Sequence, residues 1–398
     1  MERTRGVVPE AVSEFERFRD DLIEFASALV RIQSVTGEEG NAARFVRDRM
    51  VALGYDQVSI DDWGNVIGTV GNGPVTVLFD SHLDTVQADR GAGWTRDPFG
   101  GEIQDGVLYG RGSVDMKGAV AATVYAGHAM KRLGTHSDKT VVISVSVMEE
   151  SLDGEALARA CTDNDIRPDY AVICEPSRMQ LALGHNGRAM LTVTTHGIPA
   201  HGSCPGEGVN AVYKMAGIIQ AVEALQEEFQ KKPQRSGSVA LTRIESVSDS
   251  LNAVPGKCRV YLDRRTVLGE TEETISREMS VLTADTQAQW AIDEVQSLTW
   301  TGREIRGRSY YPAWEIAEDH PLVRACEQTL MELTGVQPEK MLWDFCTNGV
   351  TTAGQMNIPT IGIGPGDPRM AHMNDECCSI EEIFTAFVFY ALLPECLP

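Results

Sequence analysis

Five segments carry imidazole or carboxylate groups, four of which follow an apolar run or a glycine-rich turn. The first is Ser81-His82-Leu83-Asp84-Thr85, after VTVLF at 75–79. In extended chain His82 and Asp84, two apart, point the same way. A carboxylate placed so can take the second N–H of a metal-bound imidazole, fixing its tautomer and raising its basicity. The second is Gly110-Arg111-Gly112-Ser113-Val114-Asp115-Met116-Lys117-Gly118, before a helix of small residues. The third and fourth are Met148-Glu149-Glu150-Ser151 and Cys174-Glu175-Pro176-Ser177, each at the end of an apolar strand pattern. The fifth is Met370-Ala371-His372-Met373-Asn374-Asp375-Glu376, after Gly364-Pro365-Gly366. Each has an ordinary reading alone: a strand-end hydrogen bond for His82 and Asp84, a helix cap for Asp115, a solvated loop for the glutamates. Taken together, His82, Asp115, Glu150, Glu175 and His372 offer two nitrogens and three carboxylates. Divided over two ions with Asp115 bridging, each metal receives one imidazole and carboxylate oxygens, a set that suits Zn²⁺, or Co²⁺ and Mn²⁺ in its place. The Gly-x-x-x-x-Gly-Lys-Ser/Thr order of a phosphate loop is missing.

The elements that must position these groups alternate. Apolar runs at 75–79, 141–147, 170–174 and 360–363 predict buried strands. Helical periodicity covers 15–32, 41–53, 117–132 and 321–333. This pattern predicts an α/β domain with a mostly parallel central sheet flanked by helices. The middle of the chain differs. A strand at 189–196, a helix at 209–229, strands at 238–244 and 259–264, a helix at 271–282 and a strand at 289–299 give the order β-α-β-β-α-β. That is the ferredoxin-like split motif. The division predicted is 1–186 and 308–398 for the α/β domain, with an inserted α+β domain at 187–307.

Composition narrows the function. The net charge of −22 disfavours nucleic acid as a partner. The longest strongly apolar stretch, 141–148, is far short of the ~20 residues that span a bilayer, and residues 1–14 carry no apolar signal-peptide core. Nine scattered cysteines without a Cys-x-x-Cys pair point to reduced thiols in a cytoplasmic protein.

The segment Val77-Leu78-Phe79-Asp80-Ser81-His82-Leu83-Asp84-Thr85-Val86 resembles the first signature of a family of dinuclear zinc amidohydrolases. The family contains acetylornithine deacetylase, succinyl-diaminopimelate desuccinylase, carboxypeptidase G and aminoacylase-1, and is metallopeptidase family twenty. GRGSVDMKG is similar to its second signature, and MEES, CEPS and AHMNDE follow in the family's order. The resemblance implies a zinc-peptidase-type catalytic domain with the insert as lid and dimerisation domain. It implies that His82 and Glu175 hold one metal, that Glu150 and His372 hold the other, and that Asp115 bridges them. Asp84 then orients His82, Glu149 is the general base, and a cis peptide follows Asp115. Glu175, where di- and tripeptidases tend to carry Asp, leans toward hydrolysis of N-acyl amino acids.

The resemblance extends to the insert. Gly197-Ile198-Pro199-Ala200-His201-Gly202-Ser203 is similar to the family's lid motif, so His201 is expected to stabilise the oxyanion. Asn252, in Leu251-Asn252-Ala253-Val254-Pro255-Gly256, is expected to reach the substrate. Arg265 is expected to grip a substrate carboxylate, a task suited to its planar fork. Phe345-Cys346-Thr347-Asn348-Gly349 resembles a substrate-lining loop, which makes Thr347, Asn348 and Gly349 expected contacts. Length and this loop are similar to a selenium-metabolism-linked hydrolase branch. Gly184 to Arg188 reads as a hinge with a possible substrate contact, and Cys346 lacks a partner His for nucleophilic work. The expected protein is a homodimer through the lid that cleaves an N-acyl amino acid or small peptide-like substrate. The alternatives are an aminopeptidase or dipeptidase, an N-carbamoyl amino acid hydrolase, and a non-catalytic binding or scaffold protein.

Overall fold

The computed structural model describes residues 13–398 apart from 90, 92, 137, 234 and 249. Its larger sheet runs, edge to edge, Gln57–Ile60, Val66–Val70, Lys139–Ser146, Val75–His82, Tyr170–Ile173, Thr360–Gly362, Leu181–His185 and Trp314–Glu315, and Lys340–Trp343 also pairs with Leu181–His185. The central strands are parallel, and the flanking pairs are antiparallel except that Lys340–Trp343 runs parallel to Leu181–His185. The apolar runs are explained by burial on both faces. Val77, Phe79, Val141, Ile143 and Val145 face the large core that includes helices Arg19–Val30, Gly118–Leu133 and Ile380–Cys396. Leu78 and Val142 face the opposite way, onto Leu157, Ala160 and Cys161 of helix Glu155–Asp163. The small residues of Gly118–Leu133 are almost all buried. At Gly127 a Cβ would meet the Tyr55 hydroxyl oxygen at 2.1 Å. That hydroxyl donates to the Val124 carbonyl at 2.7 Å.

The insert forms a second sheet, Ser238–Val247, Lys257–Thr266, Gly187–His196 and Gln289–Ile292, all antiparallel, with Tyr310–Tyr311 also paired to Gly187–His196. Helices Ala211–Lys231 and Glu272–Thr283 cover one face through Met215, Ile218, Ile275 and Met279. The strand expected at 289–299 is two strands. Gln289–Ile292 stays in this sheet, while Glu294–Leu298 pairs with Glu304–Arg308. The split falls at Asp293, whose N–H donates to Met190 O and whose carbonyl accepts from Ser309 N. The hairpin beyond it lays Val295, Trp300 and Ile305 on Val147, Met148, Leu152 and Ala156, which follow strand Lys139–Ser146 of the larger sheet. An alternating pattern fits either pairing, and only the apolar site at 147–156 decides it. Among the described residues no helix is long and apolar enough to cross a membrane.

One buried tie holds the strand ends in register. Asn348 Nδ2 donates to Asp80 Oδ2 at 2.8 Å and to Ser146 Oγ at 2.9 Å, and Asn348 Oδ1 accepts from Gly154 N at 2.7 Å. Burial raises the Asp80 carboxyl above its usual range. We expect Asn348→Ala to cost about 3 kcal/mol in urea unfolding, because it strands a buried carboxylate and an amide. A loss under about 0.5 kcal/mol, the size of an ordinary surface substitution, would remove this role.

Candidate metal centre

Four neighbouring parallel strands deliver the chemistry to one edge of the larger sheet, where open α/β sheets place their ligands. His82 ends Val75–His82, Glu149 and Glu150 follow Lys139–Ser146, Glu175 follows Tyr170–Ile173, and His372 lies beyond Thr360–Gly362. Asp115 arrives from the turn that starts helix Gly118–Leu133, and the Asp115–Met116 peptide is cis.

The Asp115 carboxylate divides between two groups. Its Oδ1 lies 2.9 Å from His82 Nε2, and its Oδ2 lies 3.1 Å from His372 Nε2. His82 Nε2 is also 3.5 Å from Glu175 Oε1, and His372 Nε2 is 3.1 Å from Glu150 Oε2. Two triads result, His82–Asp115–Glu175 and Asp115–Glu150–His372, each with ligand atoms within 4.8 Å of one another. One imidazole nitrogen and two carboxylates in each triad fit a divalent ion of the zinc type.

The charges bear this out. Burial pushes Glu149, Glu150 and Glu175 above the usual carboxylate range, and neighbouring acids add to it. His82 is raised well above an ordinary imidazole despite its burial, by Glu175, Glu149 and Asp115. Hydrogen bonds to Asp115 and Glu150 raise His372 to about 10. Burial alone would raise Asp115, but the bonds from His372 and His82 outweigh it and hold the carboxyl low. A divalent cation replaces protons on such imidazoles and lets the buried glutamates ionise.

Asp84 does more than orient His82. Its carbonyl oxygen is 2.9 Å from His82 Nδ1, whereas its Oδ1 is 3.7 Å away. The carboxylate instead accepts from Glu149 N at 3.0 Å, Glu150 N at 3.1 Å and Thr36 Oγ1 at 2.8 Å. It therefore aims the glutamate pair. Two further acids have the same kind of task. Glu376, fully buried, accepts from Arg111 Nη1 at 2.6 Å, Gly112 N at 3.0 Å, Val114 N at 2.9 Å and Asp115 N at 3.0 Å. Glu39 accepts from Met148 N at 3.2 Å, and burial raises its carboxyl to about 7. Glu376 stands inside the AHMNDE segment, so its position was visible in sequence although its role was not. Nothing local marks Glu39.

A cavity of about 440 Å³ opens beside the triads, lined on the metal side by Asp115, Glu149, Glu150, Glu175 and His372. It is also lined by Arg265, Arg188, Asp153, Phe345 and Cys346. Arg265 thus lines the cavity beside the triads. Thr347, Asn348 and Gly349 do not line the cavity: Thr347 is buried against His185 at 3.1 Å, Gly349 N donates to Thr347 Oγ1 at 3.1 Å, and Asn348 makes the buried tie to Asp80. The loop reaches the cavity through its first two residues instead. Cys346 Sγ donates to Asn186 O at 3.3 Å, and burial pushes its thiol well up. His201 and Asn252 are exposed and do not line the cavity of this chain. His201 Nδ1 pairs with Ser203 Oγ at 2.7 Å. Asp153 was not anticipated. All nine cysteines are free.

Residues 78–395 match the model of peptidase family M20/M25/M40. The uncharacterized protein YgeY of Escherichia coli (strain K12) is 33% identical over 384 residues, covering 95% of this chain and 94% of its own length. Acetylornithine deacetylase of Erwinia tasmaniensis is 28% identical over 332 residues, 81% of this chain and 79% of its own length. Among solved structures, the Bacillus subtilis YXEP protein, described as a dinuclear metal binding peptidase, aligns with a TM-score of 0.66 at 12% identity, covering 96% of this chain and 98% of its own. With the sequence match spanning most of the chain and the ligand triads in place, the chain belongs to peptidase family M20/M25/M40 and is a metal-dependent hydrolase of amide bonds.

Proposed function

We propose that the protein removes the acyl group from an N-acyl amino acid or cleaves a small peptide-like substrate of the same shape, using two zinc ions. The observation that carries this reading is one cavity that joins the two Asp115-sharing triads and Glu149 to Arg265. His82 and Glu175 would hold one ion, Glu150 and His372 the other, with Asp115 between. Such a pair polarises the scissile carbonyl and makes a water acidic near neutral pH. Glu149 takes the water's proton and passes it to the leaving amine. Its carboxylate is 7% exposed and 3.9 Å from His82 Nε2. Arg265, fixed by Nε and Nη2 bonds to Asp263 at 2.8 and 2.9 Å, keeps Nη1 for a substrate carboxylate. The acetylornithine deacetylase relative supports a deacylase. The nine free thiols support a cytoplasmic setting.

The lid is proposed to pair two copies, so that His201 and Asn252 of one reach the cavity of the other. Ser238–Val247 is an edge strand of the lid sheet, and Ile198, Tyr213, Ile244, Val247 and Leu251 are large apolar side chains exposed on the lid. An open edge with exposed apolar groups favours pairing with a copy under two-fold symmetry.

Metal analysis of protein purified without chelator should approach two ions per chain, and Asp115→Ala should lower it. Full retention in that variant would end the bridging role. Turnover of a panel of N-acetyl, N-succinyl and N-carbamoyl amino acids and dipeptides tests the reaction. Glu149→Gln should cut the rate by about 10²–10⁴ at unchanged metal content; a variant keeping more than about a tenth of the rate would remove Glu149 as base. For the lid, His201→Ala and Glu149→Gln proteins are mixed under subunit exchange. Random pairing makes half the dimers mixed, each with one intact site, so about a quarter of wild-type activity should return. No recovery despite exchange places His201 outside the partner's site.

A further inference from the structure

Arg188 and Arg265 are direct cross-strand partners in the lid sheet. Partners of this kind have Cβ atoms about 4.5–5.5 Å apart, and like charges so placed are destabilising. Both line the cavity. Neither packs with the lid helices: on the same strands Ala189, Leu191 and Leu262 fill that core, and Arg188 and Arg265 occupy the opposite face. Two arginines set together in one cavity of a chain of net charge −22 need a cause.

Lid stability does not supply it, because two acids are needed to hold the pair. Asp263 takes Arg265 on its own strand. Asp153, buried and reaching over from the catalytic body, accepts from Arg188 Nη2 at 2.7 Å. The Arg188 guanidinium carbon also lies 5.0 Å from the centre of the Tyr311 ring. Arg188 is thereby held between Asp153 and the Tyr311 ring. Its Nε and the Tyr311 hydroxyl are buried without a hydrogen-bond partner among the described residues. A guanidinium has five donors in a fixed fork and matches a carboxylate in two-point contact.

We propose that Arg188 is a second carboxylate-recognising residue and that the substrate is an N-acyl derivative of an acidic amino acid. Arg265 takes the α-carboxylate, and Arg188, beside it on the same wall, takes the side-chain carboxylate. Asp153 is a positioning residue: it fixes the Arg188 fork. This rests on the deacylase reading, which supplies the scissile amide and the role of Arg265. Arg188 and Arg265 stand side by side as cross-strand partners, about 4.5–5.5 Å apart at Cβ, which suits two carboxylates carried by one amino acid, so the observations favour the amino acid side.

The test compares kcat/KM for N-acetyl-L-glutamate, N-succinyl-L-leucine and N-acetyl-L-leucine in wild type and in Arg188→Met, with Arg188→Lys as the conservative variant. Wild type should prefer N-acetyl-L-glutamate over N-acetyl-L-leucine at least about tenfold, the scale of one hydrogen-bonded charge contact. Arg188→Met should erase that preference through KM, and Arg188→Lys should restore part of it. Because Arg188→Met leaves the buried Asp153 unpaired, the double variant Asp153→Asn/Arg188→Met is measured beside it; it removes both charges and should show the same lost preference. A preference below about twofold in wild type, an equal loss on all three substrates, or a preference for N-succinyl-L-leucine overturns the proposal. Calorimetric binding of glutarate against butyrate to the zinc-loaded protein separates the two readings. If no N-acyl amino acid is cleaved but glutarate binds through Arg188, the deacylase reading falls and Arg188 keeps its role. If substrates are cleaved without regard to Arg188 and glutarate gains nothing over butyrate, Arg188 loses it and the deacylase reading stands.

Discussion

Asp115 gives one carboxylate oxygen to His82 and the other to His372, and the rest of the site is arranged so that this division can occur. A carboxylate can serve two centres only if its plane is fixed, and the backbone around it is held for that purpose. Glu376 gathers the N–H groups of Gly112, Val114 and Asp115 on its two oxygens and ties the turn to the segment that bears His372. Asp115 and the segment that bears His372 are thus tied together by a single buried acid. Asp84 does the same for the other side, carrying His82 on its carbonyl and the N–H groups of Glu149 and Glu150 on its carboxylate. Glu149 and Glu150 are therefore oriented through their main-chain N–H groups.

Such an arrangement concentrates acids that repel one another, and desolvation makes each harder to ionise. The sheet bears that cost because the acids stand at or beyond strand ends, while the middles of the strands behind them are mostly apolar. Where a polar group does lie inside the sheet, as at Asp80, it meets an amide and a hydroxyl. The same logic explains why Asn348, although in a segment that approaches the cavity, faces away from it.

Much of this was legible in the residues. Buried strands at 75–82 and 139–146 betray themselves by continuous apolar runs, and the acids or imidazoles that end them mark the edge where a site forms. All five ligand-type residues converge as their spacing and order implied. What was not legible depends on partners remote in sequence. Glu39 becomes a support only because its helix packs beside residue 148, 109 positions away. The 294–308 hairpin reads as a continuation of the lid strand until Trp300 and Ile305 find the apolar seat beside Glu149. Thr347 and Asn348 have the right types for substrate contact, and only the direction of the loop sends them inward.

The two ends of the cavity differ in how they are built, and the difference has a consequence for catalysis. The metal side is built on strand ends of one sheet and on the turn that carries Asp115. The arginines stand on the lid sheet, so their distance from the triads depends on how the lid sits. Asp153 is the direct bridge between them: it follows Glu149 by four residues on the catalytic body and holds Arg188 of the lid. A substrate carboxylate at Arg188 would share that guanidinium with Asp153, so substrate charge and lid position act on the same ion pair. On the proposed reading Asp153, four residues from Glu149, thereby senses whether the Arg188 end of the cavity is filled. Binding energy gathered at a non-reacting carboxylate can in this way be used to position the amide against Glu149, which is how remote contacts raise turnover rather than affinity alone.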